Sequence, residues 1–298
     1  MAYHIPALLK ESIDGLKIQP DGIYVDVTFG GGGHSMEILK HLKTGKLIAF
    51  DQDEDAGLNI PSDEMFIFLN QNFRFLKNNL KFINISSIDG LIADLGVSFH
   101  QFDEADRGFT FRQDAPLDMR MNKNGTVTAA YLLNTLDESS LADVFYKYGE
   151  LTNSRRIARE IVASREARPY TTVNDIFNTV GKLAPFRQEH KFYAKLFQAL
   201  RIEVNHEIEY LSEMLEQALT LLKSGGRLVV ISYHSLEDRV VKNFMKTGNI
   251  DGEEKKDFYG NLETPFIIIN KKGTIPGDEE IAINNRARSA RLRIAEKI

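Results

Sequence analysis

Four consecutive glycines, at positions 30–33, constrain the fold of this chain more than any other feature. A β-branched apolar run precedes them, a stretch with helical spacing follows them, and a second apolar run then ends at Asp51. Glycine lets the backbone turn sharply and approach a ligand closely, and the start of a helix presents unpaired N–H groups. An acid that ends the second strand can accept hydrogen bonds from both hydroxyls of a ribose. This strand, loop, helix and strand therefore predict a binding site for a nucleoside cofactor.

The residues around the glycines favour a cofactor other than a dinucleotide. The third glycine of the dinucleotide fingerprint is replaced by Ser35 or by Met36, depending on which glycine begins the count. Asp26, just ahead of the loop, would repel a pyrophosphate but could pair with the ammonium group of S-adenosylmethionine. As long as the loop is considered alone, an ordinary strand-to-helix turn is the alternative interpretation.

Length and composition exclude several classes of protein. The chain has 298 residues, 43% of them hydrophobic, which suits one large domain or one domain with an insertion. No apolar run approaches membrane-spanning length and the N-terminus lacks a signal segment, so we expect a cytoplasmic protein without a membrane partner. There is no cysteine, and the seven histidines show no H-x-x-x-H pair. We therefore predict no metal held by a dedicated site.

The charge is unevenly distributed along the chain. The formal net charge is −5, yet residues 153–201 carry a local charge of +6 and residues 284–298 one of +4. Phosphate binding depends on the local field, so two basic segments on an acidic protein are compatible with RNA. Solvated helix faces are the alternative interpretation of the same residues.

Polar and aromatic side chains follow the third and fourth predicted strands, at residues 65–69 and 88–93. Phe73 lies in the loop after the third strand, where an aromatic ring can stack on an adenine base; core packing is the alternative. Asp94 ends the fourth strand, at the edge of the sheet where substrate and cofactor meet.

The pattern changes to helices without strands between about residues 127 and 206. Five helices are predicted, near residues 128–133, 138–148, 153–167, 172–183 and 191–204, with Asp137 and the pair Thr171-Thr172 among their cap-like residues. Strands return at 227–232 and, as the last strand, at 266–269. We therefore predict a discontinuous α/β domain of residues 1–112 and 207–298, into which a helical domain of residues 113–206 is inserted.

Acidic, basic and aromatic residues alternate closely between Asp103 and Met121. This composition is not typical of a core element. It favours a loop that becomes ordered over a site and could hold a base that has left its stack.

Seven stretches share their residues, order and spacing with one family. They are HIPALL (4–9), TFGGGGHS (28–35), DLGVS (94–98), DRGFTF (106–111), PLDMRM (116–121), FQALRIEVN (197–205) and ISYHSLEDR (231–239). Together they resemble the bacterial 16S ribosomal RNA (cytosine-N4)-methyltransferases, the MraW-type family. The resemblance covers nearly the whole chain and is far more specific than the glycine loop alone.

The resemblance implies a fold, a reaction and a substrate. The fold would be a Rossmann-like domain of the S-adenosylmethionine-dependent (class I) methyltransferases with an inserted all-helical domain. The methyl donor would be S-adenosylmethionine, and the acceptor the N4 atom of a cytosine in the decoding centre of 16S rRNA, within the small ribosomal subunit. The helical insertion would then recognise the RNA. The oligomeric state stays open, a homodimer included.

The resemblance also assigns site residues by position. The cofactor-binding residues would be Gly32, Gly33, His34, Asp51, Phe73, Asp94 and Gln101. A proton acceptor near N4 would favour its nucleophilic geometry, and Asp94 is the first candidate for that catalytic role and Asp118 the second. A purely structural or cofactor-binding role for Asp94 is equally compatible with the sequence. His234 and Asp238 could contact the substrate, but their position at the start of a predicted helix favours capping.

Two other functions remain open from sequence. The first is a methyltransferase that acts on another RNA, on DNA or on a protein amide. A DNA amino-methylase would show an Asn/Asp/Ser-Pro-Pro-aromatic motif where this chain has Asp94-Leu95-Gly96-Val97. The second is a non-catalytic ribosome-assembly factor with a vestigial cofactor pocket. The intact glycine loop, Asp51 and Asp94 argue against such a loss.

Overall fold

A seven-stranded sheet dominates the computed structural model, which describes residues 6–260 and 262–298 except for the side chains of residues 99 and 100. His4 and Ile5, at the start of the first family stretch, lie outside the described residues. The strands are β1 (Ile23–Asp26), β2 (Lys46–Phe50), β3 (Phe66–Leu69), β4 (Ile88–Asp94), β5 (Leu222–Ser232), β6 (Phe266–Ile268) and β7 (Arg291–Lys297).

Twelve α-helices accompany the sheet in the described part of the chain. They are α1 (Leu9–Leu16), α2 (Gly33–His41), α3 (Leu76–Phe82), α4 (Phe99–Asp103), α5 (Ala129–Thr135), α6 (Glu138–Lys147), α7 (Ser154–Arg165), α8 (Val173–Val180), α9 (Glu189–Asn205), α10 (Glu207–Leu221), α11 (Ser235–Thr247) and α12 (Asp278–Ile283). Among the residues described, no helix combines the length and the apolar character that a membrane crossing requires.

The strand order of the sheet is β3-β2-β1-β4-β5-β7-β6. Strands β1 to β5 are parallel, and β7 runs antiparallel to both of its neighbours. The order reverses between β1 and β4, and ligands of doubly wound sheets bind in the crevice outside the carboxyl ends of the strands at such a reversal. The Rossmann-like fold predicted from the sequence is therefore confirmed.

Alternating residues of the central strands belong to two different hydrophobic cores. Val25 and Leu91 belong to the core that α3, α10 and α11 cover, whereas Tyr24 and Ile92 belong to the core on which α1 and α2 pack. Successive side chains of a strand point to opposite faces of the sheet, so both faces of the sheet are covered by helices.

The edge of the sheet differs from the prediction in one strand. The strand at 266–269 is not the last, because β7 inserts between it and β5. Arginines obscure β7 in the sequence, but Arg293 is buried and donates two hydrogen bonds to Asp238, at 2.6 and 2.9 Å. A paired arginine can thus occupy a strand that lies inside a sheet.

The chain divides into two units, Met1–Gly96 with Ile208–Ile298, and Val97–Glu207. The sequence predicts the first boundary after residue 112, whereas the chain leaves the first unit after Gly96. Within the second unit, Arg107 donates to the carbonyl oxygens of Arg120 and Met121, at 3.0 and 3.1 Å. Phe109 is buried in the core of the same unit. These contacts explain why the segment before residue 112 belongs to the second unit.

The five helices predicted for the second unit are present as α5 to α9. Asp137 caps α6 by accepting a hydrogen bond from the Ser140 amide at 2.9 Å, and Thr172 forms a capping box with Asp175 at the start of α8. The local cap chemistry of the sequence therefore located these two helix starts.

The expectation that residues 103–121 avoid the core is wrong. Leu117, Met119 and Met121 are buried in the core of the second unit. Met119 has a left-handed backbone, with φ of +63°. The Asn205 side chain holds this part of the chain by two hydrogen bonds. Asn205 donates to the Met119 carbonyl and accepts from the Met121 amide, both at 2.7 Å. The polar residues of this segment thus bind backbone groups while its apolar residues fill the core.

Candidate functional site

The glycine loop connects β1 to α2 at the carboxyl edge of the sheet. Gly30 and Gly32 have φ values of +50° and +77°, a conformation that other residues rarely adopt. A Cβ atom at Gly33 would lie 2.3 Å from Pro6 Cγ, so packing excludes a side chain there. A Cβ atom at Gly31 would meet nothing within 4 Å. Bare backbone therefore borders open space, as a loop that approaches a ligand requires.

Asp51 follows β2 and holds the loop. Its Oδ2 accepts a hydrogen bond from the Gly30 amide at 2.7 Å, and its Oδ1 accepts one from the Asp53 amide at 2.8 Å. Burial raises the pKa of Asp51 to about 6, although these two bonds favour the charged form. Each carboxylate oxygen has two lone pairs, so Asp51 can accept further bonds from ribose hydroxyls.

Asp26 is buried and bonded to its neighbours in the fold. Only 2% of its surface is exposed, and it accepts hydrogen bonds from the Ser35 hydroxyl at 2.7 Å and the Thr28 amide at 3.0 Å. Burial raises the pKa of this carboxyl as well. The geometry argues against the predicted pairing of Asp26 with an ammonium group and makes it the residue that fixes the loop to α2.

Asp94 ends β4, next to β1 in the sheet, and is the chemically most distinctive residue of this edge. Its Oδ1 accepts a hydrogen bond from the Tyr233 hydroxyl at 2.8 Å, and its Oδ2 lies 3.7 Å from His34 Nδ1. Burial raises the pKa of Asp94 to about 7; the Tyr233 bond opposes this shift, and the charges of Asp26 and Glu237 add to it. The carboxyl group can therefore gain or lose a proton near neutral pH.

His34, in the first turn of α2, is a neutral neighbour of Asp94. Its Nε2 lies 3.2 Å from the Ala7 carbonyl oxygen, which can only accept, so Nε2 carries the proton and Nδ1 presents a lone pair toward Asp94. Burial lowers the pKa of His34 to about 4. His34 thus provides no positive charge that would hold Asp94 ionised.

Tyr233 is the site residue that the sequence argument missed. It follows β5, the strand beside β4, so the rule about carboxyl ends of parallel strands could have identified it. Burial and the neighbouring Asp94 raise its pKa well above the usual range, so its hydroxyl remains a donor. The Tyr233 amide also donates to Glu237 Oε2 at 2.9 Å, which anchors the residue to α11.

The structure separates the roles of His234 and Asp238. His234 caps α11, since its ring accepts from the Glu237 amide at 3.4 Å and Glu237 reaches back in a capping box. The favoured interpretation is confirmed for His234. Asp238 instead forms the ion pair with Arg293 that joins α11 to β7.

Phe73 lies in a single turn of 3₁₀ helix after β3, where the sequence places it. The ring is half-buried and packs against the core that α3, α10 and α11 cover. Asn72 caps this turn by accepting from the Arg74 amide at 2.8 Å. Stacking of Phe73 on an adenine stays a prediction.

The two remaining site residues belong to the second unit. Gln101, in α4, is 4% exposed, and its Oε1 accepts from the Ser98 amide at 3.1 Å. Asp118 accepts two hydrogen bonds from the Arg120 guanidinium, at 2.8 and 2.6 Å. Burial would raise the pKa of Asp118, but the Arg120 hydrogen bonds outweigh it and the pKa is lowered. Asp118 is therefore a weaker proton acceptor than Asp94.

Comparison with known proteins identifies the family. The model of the MraW methylase family matches residues 1–298. The ribosomal RNA small subunit methyltransferase H of Phocaeicola vulgatus is 56% identical over 296 residues, which are 99% of this chain and 97% of the relative. The protein of the same name from Cytophaga hutchinsonii is 52% identical over 99% of both chains. A solved rRNA methylase from Streptococcus thermophilus covers 99% of both chains at 14% identity with a TM-score of 0.44, too distant to support an argument. Because the family model matches the whole length of the chain, this chain belongs to the MraW methylase family, and S-adenosylmethionine is its cofactor.

Proposed function

We propose that this protein methylates the exocyclic N4 atom of a cytosine in the decoding centre of 16S rRNA, within the small ribosomal subunit and in the cytoplasm. The observation that carries the proposal is Asp94, a carboxyl group with a pKa of about 7 at the sheet reversal, held by Tyr233 and faced by a neutral histidine. The names of the relatives, ribosomal RNA small subunit methyltransferase H, support RNA as the substrate.

The residues of the first unit fit S-adenosylmethionine. Backbone at Gly31 borders open space, and Asp51 keeps lone pairs for ribose hydroxyls. Gly32, Gly33, His34, Asp51, Phe73 and Asp94 would hold the cofactor, and the family resemblance also assigns Gln101, of the second unit, to this role. When bound, the cofactor supplies a methyl group on a positively charged sulfur, so the protein must mainly position the acceptor.

Asp94 fits the role of proton acceptor better than Asp118. The lone pair of a cytosine N4 is delocalised into the ring, and a hydrogen bond from N4 to a carboxylate favours the nucleophilic geometry and removes the proton. A base is most effective when its pKa lies near the working pH, which Asp94 satisfies. Both oxygens of Asp118 accept from Arg120 and its pKa is lowered. Asp118 instead fixes Arg120 in its loop.

The proposal is tested with labelled methyl donor on 30S particles and on protein-free 16S rRNA at equal concentration and salt. We expect one N4-methylated cytidine, found by nucleoside mass spectrometry of nuclease fragments, and a higher rate on 30S particles. The assembled particle fixes the target base relative to distant phosphates. An acidic protein binds phosphates weakly by itself, so free RNA should be a poorer substrate. Label in ribosomal protein, in DNA or on another atom of the RNA would contradict the proposed reaction, and equal rates on both substrates would contradict the preference for the particle.

Helix α7 provides a test of RNA recognition by the second unit. Arg155 and Arg156 are exposed, and their side chains form no hydrogen bond or ion pair with another described residue. Arg159, on the same face, is already paired with Glu138 at 3.6 Å. We expect the double variant Arg155→Glu/Arg156→Glu to bind 16S rRNA more weakly. Its salt dependence should be less steep, by about one unit for each phosphate that these side chains no longer neutralise.

A matched control for α7 lies in the first unit. Lys77 and Lys81 are exposed, one helical turn apart on α3, and the double variant Lys77→Glu/Lys81→Glu changes the net charge equally. RNA affinity and its salt dependence are measured by filter binding, and cofactor affinity by calorimetry. Equal losses of RNA affinity in both double variants would point to net charge rather than to α7, and a loss of cofactor affinity in the α7 variant would indicate a role in folding.

A further inference from the structure

We propose that the start of α9 is a stacking site for an unpaired nucleotide of the RNA substrate, an inference that rests on the proposed function. The site, called here the Phe186 site, consists of Phe186, Arg187, His190 and Lys191, together with Arg112, which follows Phe111, the ring neighbour of His190. All five side chains are exposed and belong to the second unit. None of the five belongs to the family stretches or to the predicted cofactor-binding residues.

The central observation is a phenylalanine in solvent. Phe186 is 82% exposed, and the guanidinium carbon of Arg187 lies 5.1 Å from the centre of its ring. The pair leaves most of the ring surface open. An exposed phenylalanine contributes little to the stability of its own unit, whereas aromatic rings and arginine planes are the surfaces on which unpaired bases stack.

The turn that carries Phe186 has a defined conformation. Arg187 has a φ of +59°, which a non-glycine residue rarely adopts without a local constraint. Two hydrogen bonds hold this turn: the Arg187 amide donates to Glu189 Oε1 at 3.2 Å, and the Gln188 amide donates to the Pro185 carbonyl at 2.9 Å. The ring and the guanidinium group are therefore presented together before any partner arrives.

Aromatic packing connects this turn to the core. The His190 ring lies 5.2 Å from the Phe111 ring, which in turn lies 5.3 Å from Phe197 in the core. Tyr193, one turn further along α9, lies 4.4 Å from Phe177. These contacts fix the first turns of α9, so a base that stacks on Phe186 would meet a rigid surface.

The charge of the Phe186 site indicates which class of partner fits. Arg112, Arg187 and Lys191 form no ion pair with any residue that the structure describes. The one acidic residue in the turn, Glu189, accepts a hydrogen bond from the Arg187 amide and keeps its negative charge, so cations outnumber acids in the site. An open aromatic ring among an excess of cations matches a single-stranded nucleic acid, whose bases stack while its phosphates pair with the cations. Removal of such a stacking surface typically lowers affinity about 5- to 150-fold.

The absence of tryptophan from the chain makes the stacking directly measurable. The variant Phe186→Trp places the only tryptophan of the protein in the site, and a base stacked on it should quench its fluorescence. We expect quenching that saturates as protein-free 16S rRNA is added. The matched control is Phe258→Trp, because Phe258 is 98% exposed but lies in the first unit beside Asp257. We expect its emission to change little.

Binding measurements complete the test. Phe186→Ala should lose about 5- to 150-fold in affinity for 16S rRNA, and Phe186→Trp should retain the affinity of the parent. Both substitutions lie on the surface, so their unfolding temperatures should match the parent. Unchanged emission of Phe186→Trp at saturating RNA, equal quenching at position 258, or unchanged affinity of Phe186→Ala would each overturn the inference. A response to 30S particles but not to protein-free RNA would assign the site to a ribosomal protein instead.

Failure of this inference is distinguishable from failure of the proposed function. If N4-methylcytidine forms while Phe186→Trp gives no quenching, the reaction is correct and the stacking site is wrong. If RNA quenches the tryptophan and no cytosine is methylated, the RNA contact stands and the proposed reaction is wrong.

Discussion

Asp94→Asn is expected to lower the rate of methyl transfer by about 10²- to 10⁴-fold, the usual contribution of a positioned general base. Asparagine keeps the shape of the side chain and can still accept a bond from Tyr233, but it cannot take a proton from a cytosine N4. The rate is measured in a single turnover on 30S particles at saturating cofactor, and cofactor affinity is measured separately by calorimetry. A full rate in the variant would remove Asp94 from the chemistry, and a loss confined to cofactor affinity would leave it as a binding residue.

The same assignment predicts the pH dependence. The active form of Asp94 is the carboxylate, and burial raises the pKa of this group to about 7, so the rate should rise between about pH 6 and pH 8. The Tyr233 hydrogen bond opposes that shift. Tyr233→Phe should therefore raise the pKa further and move the rising part of the profile to higher pH. A profile that is flat in the parent, or unmoved in Tyr233→Phe, would speak against this role.

Asp51→Ala is expected to weaken binding of S-adenosylmethionine by about 1.5–3 kcal/mol, or roughly 10- to 150-fold, since a charge-assisted pair with the ribose is lost. Asp51→Asn should lose less, because one acceptor oxygen remains. Calorimetry on the isolated protein gives both values. Protonation of Asp51 should weaken cofactor binding, as its replacement does. Because its pKa is about 6, the affinity should fall as the pH drops below 6.

A folding control is needed for Asp51, because its carboxylate also holds the Gly30 amide. The unfolding temperature of each variant without cofactor separates damage to the loop from loss of the ribose contact. Parent-like cofactor affinity in Asp51→Ala would show that the ribose lies elsewhere.

Local chemistry made much of the fold predictable from sequence. The glycine loop, the acid that follows β2, the acid that ends β4, and the caps at Asp137 and Thr172 are each determined by a few neighbouring residues. Asp26 favoured S-adenosylmethionine through a contact that the geometry argues against, and the family stretches supplied the cofactor independently. Helical spacing was sufficient for α5 to α9 because each of these helices buries one face.

The features that escaped prediction depend on contacts between distant residues. β7 contains arginines, and the buried Arg293 is paired with Asp238, which lies 55 residues earlier in the chain. The sequence of residues 103–121 is typical of a surface loop. In the structure Asn205, 84 residues beyond Met121, accepts a hydrogen bond from the Met121 amide and satisfies this buried backbone group. The pairing of Tyr233 with Asp94 spans 139 residues. A single sequence contains no local pattern that links such partners.

The pairing of β4 with β5 has a consequence for synthesis of the chain on the ribosome. The strands are neighbours in the sheet, yet residues 95–221 separate them in sequence. At translation rates of about 5–20 residues per second the gap corresponds to on the order of ten seconds, during which β4 has no neighbour on the β5 side. The second unit is contiguous and can fold within that interval, whereas the sheet must wait for β5. The nascent chain thus exposes an apolar strand edge until β5 has been made. Chaperones would be most needed during this interval.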